Sequence, residues 1–419
     1  MSFTIHGLGT AHPPDAVTAD VGLALARKMA GPDVRTSTWL GPIYANSGVN
    51  RRFQVISAPV VRDVLTGTND TGSPFVPTAA NDGVGPTTGE RMAIYTKEAG
   101  PLALRAASAA LADAAFEPES ITHIVTVSCT GFGAPGVDYA LITGLGLQPT
   151  TQRTHIGYMG CHGALNGLRV ANAFATADPA ARVLVCAVEL CSLHYYFGNA
   201  ADKLIANAIF ADGAAAVVGS GKHVTLSKGK GVRSEEPTPN PSLKVGEPDL
   251  RSSVTSRCSE EASRAFTPSL QGGGRGVGSS WTLASSASCL ISGSTADMAW
   301  TVGDYGFEMV LSRRVPNLIA SHLRSWLESW LGDNGLSVAD VKSWAVHPGG
   351  PKILSSVEES LGLGPAALAP SRAVFAEYGN MSSPTVLFIL RRLRELNAPR
   401  PCVALGFGPG LVAEAALLV

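Results

Sequence analysis

The sequence HIGYMGCHGALNGLRVANAF, residues 155–174, places a cysteine between glycines directly before a helical pattern. Apolar residues after Cys161 recur with helical spacing, which predicts a helix that begins beside the cysteine. A helix amino terminus offers unpaired N–H groups and a partial positive charge, and both stabilise a thiolate. Because the thiolate is the nucleophilic form, this stretch predicts an active-site cysteine.

Two distant segments, WAVHPGGPKIL (344–354) and AEYGNMSSPTVLFIL (376–390), supply partners for the cysteine. His347 ends a strand-like run and is followed by Pro and Gly, so its side chain is expected at a strand end. An imidazolium there would help to hold Cys161 deprotonated. Asn380 lies in a turn, and its amide can donate a hydrogen bond to an oxyanion. Taken singly, these residues also fit a core thiol, a capping or core histidine and a turn former.

Seven cysteines are irregularly spaced: Cys129, Cys161, Cys186, Cys191, Cys258, Cys289 and Cys402. Two of them, Cys186 and Cys402, lie inside apolar runs and are predicted to belong to the core. None has zinc-finger spacing, so no metal site is predicted. The odd count and the lack of a secretory segment predict a cytoplasmic protein without structural disulfides.

Composition limits the class of protein. The chain has 419 residues, of which 45% are apolar and 16% charged, with 46 glycines. These values suit a layered α/β protein with a large core. A formal charge of −1 without a basic run argues against nucleic acid as the main partner. No uninterrupted apolar stretch reaches the length of about 18 residues that a membrane span requires.

Strand-like runs alternate with helical stretches in residues 1–221, and a second such series occupies residues 281–419. The chain therefore looks like two similar α/β halves. The segment between them, residues 222–280, is rich in Ser, Gly, Pro and charge and poor in aliphatic residues. Such a composition predicts a flexible surface insertion, with Cys258 as an exposed free thiol.

An ordered series of motifs runs along nearly the whole chain: IHGLGTAHPPDAVT, IYANSGVNRRF, VSCTGFGAPGVDYAL, GYMGCHGAL, NAIFADGAAAVV, GDYGFEMVLSRRVP, HPGGPKIL, YGNMSSPTVLFIL and LGFGPGLVAEAALL. On these motifs the chain resembles the type III polyketide synthases, the chalcone synthase-like branch of the thiolase superfamily, and looks most like bacterial-type members. The resemblance implies a thiolase-like α/β fold, with duplicated βαβαβαββ halves in a five-layered αβαβα arrangement. It also implies a homodimer.

The same resemblance implies an activity. Cys161 matches the nucleophile that accepts a starter acyl group from coenzyme A. His347 and Asn380 match the pair that stabilises the enolate of malonyl-CoA after decarboxylation and the oxyanion of the condensation. The implied substrates are acyl-CoA and malonyl-CoA, and the implied chemistry needs no metal or redox cofactor.

Further residues correspond to the family's cavity. Phe210 matches a phenylalanine where the coenzyme A tunnel meets the cavity, and Met309 replaces a second phenylalanine of plant enzymes. The more flexible methionine favours bulkier starters, such as fatty acyl groups that give alkylpyrones or alkylresorcinols. The other residues expected at the cavity are Cys129, Thr130, Cys191, His194, Trp300, Ser382, Gly406, Phe407 and Gly408. Candidates for binding coenzyme A are Arg51, Arg52 and Lys352, with solvated surface charge as the alternative.

Other functions remain open on the sequence. A different thiolase-superfamily ketoacyl synthase, acting on a carrier protein, would share the Cys-His-Asn set. A papain-type hydrolase would use these residue types to release free acid from an acyl-enzyme. A purely binding protein would make the three motifs vestigial. The GFGPG ending and the YGNMSSP context favour the polyketide synthase.

Overall fold

The computed structural model describes residues 2–30, 32–35, 37–81, 83–221 and 280–419. The predicted insertion at 222–280, with Cys258, lies outside the described residues except for Ser280. The strands of the described residues are β1 (Phe3–Ala11), β2 (Ala16–Thr18), β3 (Arg51–Phe53), β4 (His123–Ser128), β5 (Gln152–Gly157), β6 (Arg182–Leu190), β7 (Asp212–Ser220), β8 (Trp281–Leu290), β9 (Met298–Gly303), β10 (Gly306–Leu311), β11 (Ser343–Val346), β12 (Cys402–Gly408) and β13 (Val412–Leu418). The helices are α1 (Ala19–Met29), α2 (Pro32–Arg35), α3 (Leu40–Ala45), α4 (Ala58–Thr66), α5 (Thr88–Ala114), α6 (Val137–Leu145), α7 (Gly163–Ala177), α8 (Ala201–Ile209), α9 (Val315–Asp333), α10 (Pro351–Leu361), α11 (Ala369–Tyr378) and α12 (Pro384–Glu395).

Nine of these strands form one mixed sheet in the order β11-β12-β13-β8-β1-β7-β6-β4-β5. On each side of the β1–β8 junction the pairing repeats. β1 is antiparallel to β7 as β8 is to β13, and β4 is parallel to β6 as β11 is to β12. This correspondence confirms the predicted duplication. Among the described residues, β5 has no counterpart in the second half.

The inner strands are buried on both faces because their side chains are short and apolar on both. In β6 the odd-numbered Val183 and Val185 pack in a cluster with α7 and α12. The even-numbered Leu184 and Cys186 pack instead against α5. Near-continuous apolar runs are typical of strands covered by helices on both sides. The prediction that Cys186 is a core residue is confirmed.

Three apolar clusters define the layers. The central cluster joins α7 and α12 to strands of both halves. A second cluster packs α5 against the outer face of the first half, and a third packs α9 and α10 against the outer face of the second half. The two halves of the sheet therefore lie on opposite sides of the central helices. The order of layers is helix, sheet, helix, sheet, helix, as predicted. Cys402 is fully buried in the central cluster, as expected.

A helix that spans a membrane needs about 20 consecutive, mostly apolar residues. No helix within the described ranges is both long enough and apolar enough to cross a membrane.

Candidate active site

Cys161 lies at a sharp turn between β5 and α7. The turn Gly160–His162 is a single 3-10 turn that leads directly into α7 at Gly163. Gly160 has φ of +68°, and a Cβ at this position would overlap Cδ of Pro409. Both the left-handed backbone and the close approach require glycine. Cys161 is therefore held at the amino end of α7, as the sequence predicted.

Burial controls the ionisation of the cysteine and the histidine. It raises the pKa of the Cys161 thiol to about 11, although Ser382 and Asn380 lower it by stabilising the thiolate. Burial, together with the nearby His162, lowers the pKa of His347 to about 3. Because each charged form is disfavoured, thiol and imidazole are both neutral at pH 7. Burial therefore disfavours the expected imidazolium at His347.

His347 follows the last residue of β11, as predicted from the Pro and Gly after it. Its backbone N–H donates to the carbonyl of Leu405 at 2.8 Å, which anchors it beside β12. The ring is fully buried, and neither Nδ1 nor Nε2 has a hydrogen-bond partner among the described residues. Buried ring nitrogens normally form hydrogen bonds, so those of His347 are candidates for binding a ligand.

Asn380 lies in the connection between α11 and α12. Its backbone forms a bridge to the residues around Phe210, with Asn380 N donating to Ile209 O at 2.8 Å and Ala211 N donating to Asn380 O at 2.8 Å. The side-chain Oδ1 accepts a bond from Ser382 N at 2.8 Å. This bond leaves the Nδ2 donor without a partner in the described part of the chain. The Asn380 side chain is near enough to Cys161 to lower the pKa of its thiol.

A small cavity of about 40 Å³, here called the reaction chamber, adjoins these residues. Asn380 and Cys161 line it, as does Gly349, two residues after His347. The predicted residues that line it are Cys129, Thr130, Cys161, Cys191, Phe210, Trp300, Met309, Asn380, Ser382 and Phe407. Its walls are almost entirely apolar, which suits chemistry that must exclude water.

Phe210 and Met309 stand where three cavities meet. Besides the reaction chamber, both line an entrance cavity of about 460 Å³ and a side chamber of about 220 Å³. Residues of the entrance cavity include Asn46, Ser47, Ile205, Arg313, Gly350 and Lys352. Residues of the side chamber include Val84, Tyr196, Lys203, Asn207, Tyr305 and Glu308. Phe210 directly follows α8, and Met309 on β10 pairs with Trp300 on β9.

The structure corrects the expected role of Arg52. Its side chain is buried, donates a hydrogen bond to the hydroxyl of Tyr195 and lies close to Asp212. A guanidinium enclosed in this way does not reach a coenzyme A phosphate. Arg51 is exposed and donates to the Glu377 carbonyl at 3.3 Å, and it is not among the residues that line the entrance cavity. Lys352 does line that cavity.

Three predicted cavity residues do not line the reaction chamber. Gly406 and Gly408 pack against the ring and backbone of His162, where a Cβ at either position would crowd it. His194 lines the side chamber instead. Its Nε2 donates to the Thr130 carbonyl at 2.7 Å and its Nδ1 accepts from Phe307 N at 2.9 Å, so both ring nitrogens are satisfied.

Sequence reasoning missed Glu189, a fully buried carboxylate at the end of β6. Its Oε2 accepts bonds from Cys129 N at 2.9 Å and Thr130 N at 3.1 Å, and its Oε1 accepts one from Ser383 Oγ at 2.6 Å. Burial raises its pKa, and these donors oppose the shift. The carboxylate ties together two loops of the reaction chamber. The sequence contained a signal for Glu189, because it is the one charged residue in the apolar run VLVCAVEL. Arg313 of the entrance cavity was also missed.

Sequence comparison identifies the family. A model described as chalcone and stilbene synthases, N-terminal domain, matches residues 74–222, and the C-terminal domain model of the same family matches residues 282–419. The chain belongs to the chalcone and stilbene synthase family, the type III polyketide synthases. The predicted family is confirmed, and the chain is an acyltransferase-type enzyme.

Relatives of this synthase come from several kingdoms. It is 30% identical over 332 residues to the alpha-pyrone synthesis polyketide synthase-like Pks18 of Mycobacterium tuberculosis, covering 78% of this chain and 72% of the relative. It is 29% identical over 429 residues to the bisdemethoxycurcumin synthase of Oryza sativa, covering 98% and 90%. Polyketide synthase 37 of Dictyostelium discoideum is 31% identical over 340 residues, 78% of this chain but 10% of that protein.

Solved structures share the fold of the synthase. PKS-I from the brown alga Ectocarpus siliculosus superposes with a TM-score of 0.80 at 29% identity, covering 100% of this chain and 98% of that one. The C-terminal type III domain of Steely1 from Dictyostelium gives a TM-score of 0.77 at 24% identity, covering 100% and 99%. The thiolase-like fold predicted from the motifs is therefore confirmed.

Proposed function

We propose that this synthase condenses malonyl-CoA onto a coenzyme A-linked starter held on Cys161, and that the starter is a fatty acyl group. The observation that carries the proposal concerns two buried side chains, His347 and Asn380. Among the described residues, the His347 ring nitrogens and Asn380 Nδ2 have no hydrogen-bond partner, and Asn380 and Cys161 line the same chamber. Buried donors without partners suit an oxygen atom that arrives with the substrate. The products would be alkylpyrones, alkylresorcinols or related polyketides.

Loading of the starter is the first step of the proposal. His347 accepts the thiol proton of Cys161 as the sulfur attacks the carbonyl carbon of the acyl-CoA. The tetrahedral oxyanion collapses, the bond to the coenzyme A sulfur breaks, and the departing thiolate takes the proton from His347. The neutral resting imidazole suits this role, because a protonated ring could not act as the base.

Decarboxylation and condensation follow. Malonyl-CoA loses carbon dioxide, and the negative charge moves to its thioester oxygen, where Asn380 Nδ2 and an N–H of His347 donate hydrogen bonds. The enolate carbon then attacks the thioester carbonyl on Cys161, and the carbon–sulfur bond breaks to release the Cys161 thiolate. The lost carboxylate generates the carbanion, so no strong base is needed. No metal or redox cofactor takes part in this scheme.

The proposal of a fatty acyl starter rests on the passage between the three cavities, beside Phe210 and Met309. Met309 is flexible and adaptable, and it lines all three cavities together with Phe210. The reaction chamber is small, so an extended starter would have to pass these two side chains into a neighbouring cavity. The relative Pks18 is named for alpha-pyrone synthesis, which agrees with such products. Lys352 and Arg313 line the entrance cavity, and in this proposal their charges bind the phosphates of coenzyme A.

We also propose that the synthase is a homodimer. β5 pairs only with β4 in the described sheet and so leaves one edge open. Beside it, Phe132, Tyr139 and Tyr158 are each about half exposed. An open strand edge next to exposed aromatic rings is costly in a monomer. Light scattering should give a dimer mass, and Tyr139→Arg should shift it toward the monomer, whereas Leu396→Arg, at an exposed apolar residue immediately after α12, should not.

The decisive experiment incubates the protein with malonyl-CoA and acyl-CoAs from acetyl to palmitoyl and identifies products by mass spectrometry. Alkylpyrones or resorcinols from fatty acyl starters support the proposal. Cys161→Ala should lose acyl loading and all product, while Cys289→Ala, at a thiol outside the reaction chamber, should retain both. Free acid with malonyl-CoA untouched would instead indicate a hydrolase. Extension only on a carrier protein would indicate a different ketoacyl synthase.

A further inference from the structure

An ion pair joins α8, which ends just before Phe210, to β10, which carries Met309. Lys203 on α8 donates from Nζ to Oε2 of Glu308 on β10 at 2.5 Å. α8 ends immediately before Phe210, and Glu308 immediately precedes Met309. Lys203 and Glu308 both line the side chamber. The pair therefore bridges the two walls from which Phe210 and Met309 project.

The position of Lys203 is further defined by aromatic contact. Its Nζ lies 5.2 Å from the ring centroid of Tyr196, which also lines the side chamber. The segment that carries Tyr196 is bound to α8 through Asn207, whose Oδ1 accepts from Tyr196 N at 3.0 Å and whose Nδ2 donates to Tyr196 O at 2.8 Å. The attraction between a cation and an aromatic face favours this position of the Lys203 ammonium group. α8 and Lys203 thus form one side of the link.

The hairpin of β9 and β10 forms the other side and stands apart from the main sheet. Its turn is bound to α5 through Gly306 N, which donates to Thr88 Oγ1 at 2.9 Å. Next to the turn, Phe307 N donates to His194 at 2.9 Å. These bonds hold the turn end, and Glu308 provides a direct polar link to α8 just before Met309. Beyond Met309, Ser312 N donates to Asp297 O at 2.8 Å, so the Lys203–Glu308 pair is the polar link to α8 that lies nearest to Met309 on β10.

We propose that the Lys203–Glu308 ion pair is a specificity determinant that sets the width of the passage between Phe210 and Met309. By holding α8 and β10 together, it limits which acyl chains extend from the reaction chamber into the side chamber. The side chamber is the site for the distal, apolar part of the starter, and aromatic side chains such as Tyr196, Tyr305 and Phe307 line it. This inference rests on the proposed function, since it concerns the starter held on Cys161.

The size of the effect follows from exposure. The Lys203 side chain is 26% exposed and that of Glu308 is 49% exposed, so solvent screens the pair in part. Exposed pairs of this kind change an equilibrium by about twofold to fivefold. The pair should therefore shift selectivity among starters by a similar factor and leave the chemistry at Cys161 intact.

The test compares hexanoyl-CoA and palmitoyl-CoA in Lys203→Met, Glu308→Gln and the reversed pair Lys203→Glu with Glu308→Lys. Selectivity is the ratio of kcat/KM for palmitoyl-CoA to that for hexanoyl-CoA with malonyl-CoA. We expect each single change to raise this ratio about twofold to fivefold, and the reversed pair to return it toward the wild-type value. Glu328→Gln removes a more exposed ion pair, with Arg324 on α9, and should leave the ratio unchanged.

A second readout separates this inference from the proposed function. Single-turnover acylation of Cys161, followed by intact-protein mass, gives the same ratio before any condensation. Wild-type protein that is acylated but forms no malonyl-CoA-dependent product contradicts the proposed function, and the loading ratio still decides the inference. Unchanged ratios in both single variants, or equal losses on both starters with a lower Tm, would overturn the inference. Failure of wild-type acylation would overturn both.

Discussion

Phe210 and Asn380 lie side by side in a one-residue parallel bridge, closed by hydrogen bonds on both sides of Asn380. The bridge joins the end of α8 in the first half of the chain to the connection before α12 in the second half. It fixes the backbone of Asn380, and the bond from Ser382 N to Oδ1 then determines which end of the amide remains available. Phe210, which lines all three cavities, and Asn380, the proposed oxyanion donor, are thus joined by one backbone bridge.

This arrangement predicts the effect of Asn380→Asp. The new side chain keeps the acceptor for Ser382 N but loses the free donor, so stabilisation of the enolate is lost. Decarboxylation of malonyl-CoA, measured as released carbon dioxide, should fall about 10² to 10³-fold, as for other single oxyanion donors. Acylation of Cys161 should persist. Asn69→Asp, on an exposed loop, is the control, and equal decarboxylation in wild type and Asn380→Asp would contradict the assigned role.

The raised pKa of Cys161 predicts a pH dependence. A thiol with a pKa of about 11 is protonated at neutral pH, so its thiolate fraction increases as pH rises. Alkylation by iodoacetamide, followed by mass spectrometry, should accelerate about tenfold per pH unit between about pH 7 and 9. His347→Ala should show the same slope, because the resting imidazole is neutral. A rate that is already constant at pH 7 in wild type but not in the variant would reveal a thiolate–imidazolium pair instead.

The turn before Cys161 predicts an unusually costly glycine substitution. Gly160→Ala introduces strain at φ of +68° and overlap with Pro409, whereas Gly67→Ala has φ of +76° and open space around the new Cβ. The left-handed backbone alone costs about 1–2 kcal/mol. Denaturant unfolding should show this loss for Gly67→Ala and a larger one for Gly160→Ala. Only Gly160→Ala should also slow acyl loading, by about 10²-fold, since it displaces Cys161. Equal loading in the two variants would contradict the steric argument.

Glu189 should contribute more to stability than a surface carboxylate. Glu189→Gln replaces one acceptor oxygen with an NH2 group that faces buried donors of Cys129, Thr130 or Ser383. Leaving such donors unsatisfied should lower the free energy of unfolding by about 2–4 kcal/mol. Glu395→Gln, which removes an exposed ion pair with Arg391, should change it little. Similar unfolding midpoints for the two variants would argue against the buried network.

The sequence predicted much of this architecture because the relevant signals are local. The strand-like run before His347 predicts a strand that ends there, and β11, Ser343–Val346, ends one residue before it. The start of α9, Val315–Asp333, is also a local signal, since Pro316 favours a helix start and apolar periodicity defines the buried face. Cys161, His347 and Asn380 were found in the same way, from glycines and turns beside periodic segments.

Tertiary structure alone decided the rest, because burial and long-range contacts are not written in a local pattern. Arg52 looked like a surface charge and is enclosed beside Tyr195, while Gly406 and Gly408 make room for His162. The ionisation of Cys161 and His347 depends on removal from water by residues far away in the chain. The meeting of three cavities at Phe210 and Met309 likewise arises only when α8 packs against the hairpin of β9 and β10. Sequence determined which side chains are the candidates for the chemistry, and packing determined their burial, their access and their neighbours.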